Sequence, residues 1–219
     1  MDLEEVWRIR EEDIYPRTFG TRGTGIFALS QALFQTRFKQ ADIDPRWLFL
    51  GVFEFAPTEA RPFWIYVTSG HSNPWEAKFD GTDADGPSGA GVEFLLAITQ
   101  QGEWAINTLL NLLAFDLLLR ARRYPGRLPL SEGDRIPLRA PINGDPACSI
   151  RNVLVTHASD YWPGFTLPSG PVEFLAMTGA TDQEIDFAKM EGTPSLVAAL
   201  KSNGYYPVTD AVRPSLIKN

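Results

Sequence analysis

Between Ser69 and Gly91 the chain carries Ser-Gly-His-Ser-Asn-Pro, then Asp80-Gly-Thr-Asp-Ala-Asp-Gly-Pro-Ser-Gly, then Gly91. Turn formers at this density cannot supply packing residues to a helix or strand. The blocks on either side, Phe63–Val67 and Val92–Ile98, are short, apolar and β-prone, and read as buried strands. The chain must therefore build a sheet around a long, shaped connection. An earlier apolar block, Trp47–Phe55, reads as a further strand, and the Pro57–Pro62 loop makes it a hairpin with Phe63–Val67.

The remaining pattern mixes helices and strands without regular alternation. Residues 1–22 are charged and punctuated by Tyr15-Pro16 and Gly20, which predicts a short helix followed by a turn. After Gly23-Thr24-Gly25, the positions Ile26, Leu29, Leu33 and Phe34 have helical spacing. Gly102 to Tyr124 is the longest expected helix, with Ala105, Leu109, Leu112, Leu113 and Leu117 along one side. Arg120, Arg122 and Arg123 fall in its last turns, where cations complement the helix dipole. Residues 125–148 read as a Pro/Gly-rich loop region, and Ser149–Thr156 and Val172–Thr178 as strands. Thr181-Asp-Gln-Glu184 is a capping box, and a last helix runs from Thr193-Pro194 to Asn203-Gly204. No repeat and no linker divides the chain. The expectation is one α+β domain over residues 1–219, with a central mixed β-sheet flanked by helices.

Composition narrows the classes of partner. A net charge of -7 repels phosphate backbones and argues against nucleic acid. The same charge suits a basic protein partner. One cysteine, Cys148, excludes an internal disulfide framework and a cysteine-rich zinc site. The first residues lack the basic-then-apolar pattern of a secretory signal. Leu109–Leu119, the longest apolar run, is interrupted by Asn111 and Asp116 and is too short to span a bilayer. A cytoplasmic location is expected, with no membrane association.

Candidate chemistry is sparse. Gly86-Pro87-Ser88-Gly89-Ala90 approaches the Gly-x-Ser-x-Gly elbow of serine hydrolases, with Ala90 at the last glycine. The elbow needs a strand before its serine and a helix after it, and the flanks here have neither. Asp80, Asp83, Asp85 and Gly86 suggest a calcium loop, but position one would be Gly81 and position twelve Val92. Gly20 to Gly25 lacks the Gly-Lys-Ser/Thr ending of a phosphate loop and reads as a turn. His71 and His157 have no patterned partners, so neither metal nor cofactor is expected. Shaped loops beside a rigid sheet are where recognition sits.

Ile65–Gly70, Phe79–Asp83, Asp85–Gly89 and Gly91–Phe94 resemble the core signature of the suppressor of fused domain. The similarity runs on through Trp104, Gly133–Pro137 with Pro141–Asn143, Ile150–Thr156, Pro171–Leu175 and Tyr206–Asp210 with Arg213, from about residue 15 onward. In animals, suppressor of fused restrains Hedgehog-pathway transcription factors by clamping a peptide between two domains. An aspartate of the Gly-Thr-Asp-Gly-Pro-Ser-Gly segment helps bind it. Either Asp83 or Asp85 matches that aspartate, because Ala84-Asp85 is inserted relative to the pattern, and the nearby tyrosine has no clear counterpart around Asn73 and Pro74. The chain is similar to the first domain alone, as are compact bacterial members regarded as immunity proteins against polymorphic toxins.

The resemblance implies a protein-binding module without catalysis, which neutralises a basic toxin domain by direct contact. The expected contacts are Asp83, Asp85, Glu76, His71 and Trp75, the last either an aromatic anchor or a cap on the core. The competing expectation is a sensor holding a small molecule or peptide in a pocket beside the sheet.

Overall fold

The structure, a computed structural model, describes residues 3–23, 25–74, 86–157 and 159–217. Nine strands are present among these residues. In chain order they are β1 (Phe27–Ala28), β2 (Gly51–Phe55), β3 (Trp64–Ser69), β4 (Val92–Ile98), β5 (Arg135–Pro137), β6 (Ile150–His157), β7 (Phe165–Leu167), β8 (Gly170–Thr181) and β9 (Val208–Thr209). They pair in the order β1-β2-β3-β4-β8-β6-β5, with β7 on β8 and β9 on β4. β2 and β3 form the expected antiparallel hairpin, with Phe53 opposite Val67. β4 runs parallel to both β8 and β9, so the sheet is mixed.

Strand side chains alternate between two covered faces, which is why the strands read as unbroken apolar runs. On one face Tyr66, Phe94, Leu96, Val153 and Met177 pack against α4 (Glu103–Arg120). On the other, Phe53, Ile65, Val67, Leu95 and Phe174 meet Tyr15 and Phe19 of the amino-terminal helix. Ala188 of α5 (Asp182–Glu191) and Leu196 and Leu200 of α6 (Thr193–Ser202) complete that layer.

Helix α4 is buried more widely than a single stripe predicts. Ala105, Leu109 and Leu112 face the sheet, while Leu113, Ala114, Leu117 and Leu118 pack on Phe34 of α3 (Gln31–Arg37) and on Leu50. A helix held between two layers has no solvent face for most of its length.

Three local expectations are corrected. The strand at Trp47–Phe55 begins only at Gly51, because Asp44-Pro45 starts a 3-10 turn over Pro45–Phe49, with the Asp44 carboxylate accepting from the Arg46 amide at 2.9 Å. The helix placed at Ile26 starts at Gln31 behind a Ser30 cap, and Phe27–Ala28 is instead an edge strand. The amino-terminal helix also does not stop at Tyr15-Pro16. It runs as α1 (Leu3–Arg8), a π-helical stretch (Ile9–Ile14) and α2 (Tyr15–Phe19). The wider π turn, in which the Tyr15 amide reaches the Arg10 carbonyl, accommodates a proline that has no amide to give.

The capping box forms as its residues predict, the Thr181 hydroxyl accepting from the Glu184 amide and the Glu184 carboxylate from the Thr181 amide. That carboxylate is fully buried and also takes both guanidinium nitrogens of Arg213, at 2.5 and 2.7 Å. The Leu216 amide adds a bond at 3.0 Å, so one glutamate ties the carboxyl-terminal segment to α5. Breaking a buried pair strands the other charge, at about 3–5 kcal/mol. Arg213→Met should lower unfolding stability in urea by that order, whereas Lys189→Met, an exposed i,i+3 partner of Asp186, should change it by under about 0.5 kcal/mol.

Candidate functional site

The turn-rich segment leaves β3 at Ser69 and returns into β4 at Val92, and its two ends are held by different means. On the outgoing side the anchor is Glu93, a fully buried carboxylate on β4. Its Oε1 accepts from the Gly70 amide at 3.1 Å, the Ser72 amide at 2.9 Å and the Ser72 hydroxyl at 2.6 Å. Oε2 accepts from the Thr68 hydroxyl at 2.6 Å. These four bonds make residues 70–72 curl around the carboxylate.

Arg10 closes this cluster from the π turn. It is fully buried, and its guanidinium donates to the Ser69 hydroxyl at 2.9 Å, the Ser72 hydroxyl at 3.1 Å and Asn73 Oδ1 at 2.8 Å. The same group lies 3.9 Å from Glu93. Trp7 Nε1 donates to Asn73 Oδ1 as well, at 3.1 Å. The amino-terminal helix is thereby fastened to the outgoing chain by charge-assisted bonds.

The returning end is held by backbone contact. The Ser88 amide donates to the Pro171 carbonyl at 3.1 Å and the Ala90 amide to the His71 carbonyl at 2.9 Å. Gly170, at φ +131, lets the 86–88 backbone lie directly on β8, since a Cβ there would sit 2.1 Å from the Gly86 carbonyl oxygen. The Ser88 hydroxyl is fully buried, donates to the Ser72 carbonyl at 2.6 Å and lies 2.5 Å from the Ser169 hydroxyl. It joins the two ends of the segment, and neither imidazole is bonded to it.

An open cleft of about 1050 Å³ lies beside these ends, with Gly70, His71, Asn73, Pro74, Pro87 and Gly89 along one wall. Arg46, Arg120, Arg122, Arg123 and Arg127 contribute to the rest. Behind the wall, Asp116 of α4 is fully buried. Its Oδ2 meets Arg120 Nε at 2.6 Å, and its Oδ1 accepts from the Leu130 amide at 2.6 Å. His71 Nε2 lies 3.0 Å from Oδ2. Burial alone would raise this carboxyl, but the His71 ring, Arg120 and the Leu130 amide together hold it below its ordinary value.

Of the five expected contacts, Trp75, Glu76, Asp83 and Asp85 lie outside the described residues, as do Asp80 and the rest of the calcium-like run before Gly86. His71 is described: its side chain is 1% exposed and stacks edge-on against Phe94, 4.8 Å between ring centres. It serves as part of the cleft wall. His157 is on the other flank of the sheet, with Nδ1 3.4 Å from Glu173. Among the described residues no cluster of three or more His, Cys, Asp or Glu could hold a metal, and no helix is long and apolar enough to cross a membrane.

Arg10, Glu93, Asn73 and Asp116 were not singled out from the sequence. Glu93 inside Val92–Ile98 and Asp116 inside Leu109–Leu119 carried a usable signal, as carboxylates within otherwise apolar runs. Arg10 sits among charged neighbours and gave none.

The buried carboxylates set a pH dependence. Asp116 and Glu184 both titrate lower in the folded chain than unfolded, so the unfolded chain binds the extra protons in acid. Their stabilisation is complete above the unfolded carboxylate range near pH ~4 and is lost as the pH falls below it through the depressed folded values. Asp116→Asn should flatten the acid limb of a stability-against-pH curve while leaving its neutral limb parallel to the parent. Separately, Glu93→Gln should accelerate hydrogen exchange at the Gly70 and Ser72 amides well before the β6–β8 amides respond.

The chain matches the family Suppressor of fused protein (SUFU) over residues 47–214. No curated protein matches it by sequence. Among solved structures, it is similar to a SUFU homolog from Neisseria gonorrhoeae at 16% identity and a TM-score of 0.64, each chain covered completely. A crystal structure of the Sufu–Fu complex matches at 17% identity and a TM-score of 0.63, over 97% of this chain and 89% of that one. Drosophila Suppressor of Fused matches at 19% identity and a TM-score of 0.57, over 75% of this chain but only 42% of its own. At these identities the structures speak for the fold alone. With the family matched over most of its length, the chain belongs to the suppressor of fused family.

Proposed function

We propose that this chain is a protein-binding module without catalytic activity, and that it docks its partner on the segment between β3 and β4. The carrying observation is the double anchorage of that segment. Glu93 and Arg10 fix its outgoing end, and Ser88 and Gly170 fix its return. A loop pinned at both ends loses less entropy on binding than a free one. That one solved family member is a Sufu–Fu complex supports the same reading. Asp83, Asp85 and Glu76 supply the charged contacts and Trp75 the aromatic one, and His71 lies in the cleft wall. With a net charge of -7, the partner is a basic domain, and a toxin neutralised in the cytoplasm by direct contact fits that charge.

A second reading, a sensor of a small molecule or peptide, is favoured by the open cleft beside the sheet.

Affinity capture from the native cell followed by mass spectrometry should recover a partner with a basic domain. The Asp83→Lys/Asp85→Lys chain, with unchanged thermal unfolding, should bind that purified partner at least about tenfold more weakly, a loss of about 1.4 kcal/mol. Co-expression should relieve growth arrest if the partner is a toxin. Undiminished affinity in the double variant would remove this segment as the docking site.

A further inference from the structure

Among the described residues, the lining of the cleft beside β3 differs in sign from the chain as a whole. Of the residues described, five arginines line it, with Asp44 as the carboxylate, in a chain of net charge -7. Three of the five are engaged: Arg46 with Asp44 at 2.5 Å, Arg120 with Asp116, and Arg123 with Asp42 at 3.7 Å. Arg122 and Arg127 have no ion-pair partner among the described residues. The carboxyl end of α4 presents only about half a negative charge, and part of that is already answered. The Ala121, Arg122 and Arg123 amides return to the carbonyls of Leu117, Leu119 and Leu118.

That last arrangement is a Schellman motif, whose left-handed residue is ordinarily glycine. Here it is Arg122, at φ 57. A side chain that branches from this backbone is strained, and such strain persists where something else requires the side chain. The opposite wall offers an independent sign. Asn73 is 2% exposed, and its Oδ1 accepts from both Trp7 and Arg10, which fixes the amide's orientation. Its Nδ2 then faces no acceptor among the described residues. A buried donor without a partner costs about 1–3 kcal/mol.

The geometry points to an anion site: the cleft takes a carboxylate or phosphate group, held by Arg122 and Arg127 on one side and by the Asn73 amide on the other. This rests on the second reading above, that the cleft holds a ligand, and assigns the ligand's chemistry. Guanidinium groups suit such planar or tetrahedral oxyanions because they donate in a fork.

The whole chain is titrated calorimetrically with pyrophosphate, with acetylated tetraglutamate and with acetylated tetraglutamine, at about 20 and about 200 mM salt. Pyrophosphate or tetraglutamate should bind, more weakly at high salt, and which of the two binds identifies phosphate or carboxylate as the source. Arg122→Gln/Arg127→Gln should weaken that binding by about tenfold or more, the loss expected of charge-assisted bonds. Arg135→Gln, on β5 and outside the cleft, should leave it unchanged. Arg122→Gly should weaken binding while its melting temperature holds or rises, a split that a purely structural arginine would not give. Equal binding of tetraglutamine would overturn the anion assignment but leave the cleft as a ligand site. Binding of none of the three would overturn both, and anion binding lost equally in Arg135→Gln would reduce the effect to diffuse charge.

Discussion

The buried contact between Arg10 and the Glu93 cluster is the point on which the site's geometry turns. A carboxylate placed on a central strand is costly to desolvate, and only dense hydrogen bonding makes it tolerable. Glu93 obtains its bonds from the chain leaving β3, through two amides and two hydroxyls. The requirement runs both ways: the strand needs those donors, and so the backbone that supplies them has one shape. Arg10 then makes the amino-terminal helix part of the same arrangement, although 59 or more residues separate it from its partners in sequence.

Around this centre the sheet acts as a rigid floor. Both faces are covered, one by α4 and the other by the amino-terminal helix with α5 and α6. Rigid floors under shaped loops suit recognition, since little order has to be imposed on binding. The second buried carboxylate, Asp116, does for the cleft what Glu93 does for the loop. It sits in the leucine-rich helix and holds Arg120 and the chain at Leu130 in place, with His71 against it. Local charge and total charge thus diverge. A chain acidic overall presents arginines in the cleft beside β3, and an argument from net charge alone describes long-range attraction and misses what a short-range site would accept.

Much of the fold was legible in the residues. The β2–β3 hairpin, β4, the long helix, the capping box at Thr181–Glu184 and the last helix all follow from local pattern, because apolar period, turn chemistry and caps act over a few residues. The errors were also local conflicts. Tyr15-Pro16 carries a helix-stopping signal that a π turn absorbs, and Asp44-Pro45 starts a 3-10 turn at the head of an apolar run that otherwise reads as strand. The one-sided stripe on α4 understated its burial, since the second layer, Phe34 and Leu50, comes from elsewhere in the chain.

By itself the sequence determined the mixed α+β architecture, the family and the position of a long, turn-rich connection between two buried strands. It could do so because each rests on residues near one another along the chain. Tertiary structure alone decided that Arg10 meets Glu93, that His71 turns inward against Asp116 and Phe94, and that Arg46 and the arginines at and just beyond the end of α4 share a cleft with Asn73. Those pairings join residues far apart in sequence, and a long-range contact leaves no periodic trace in the segments it connects.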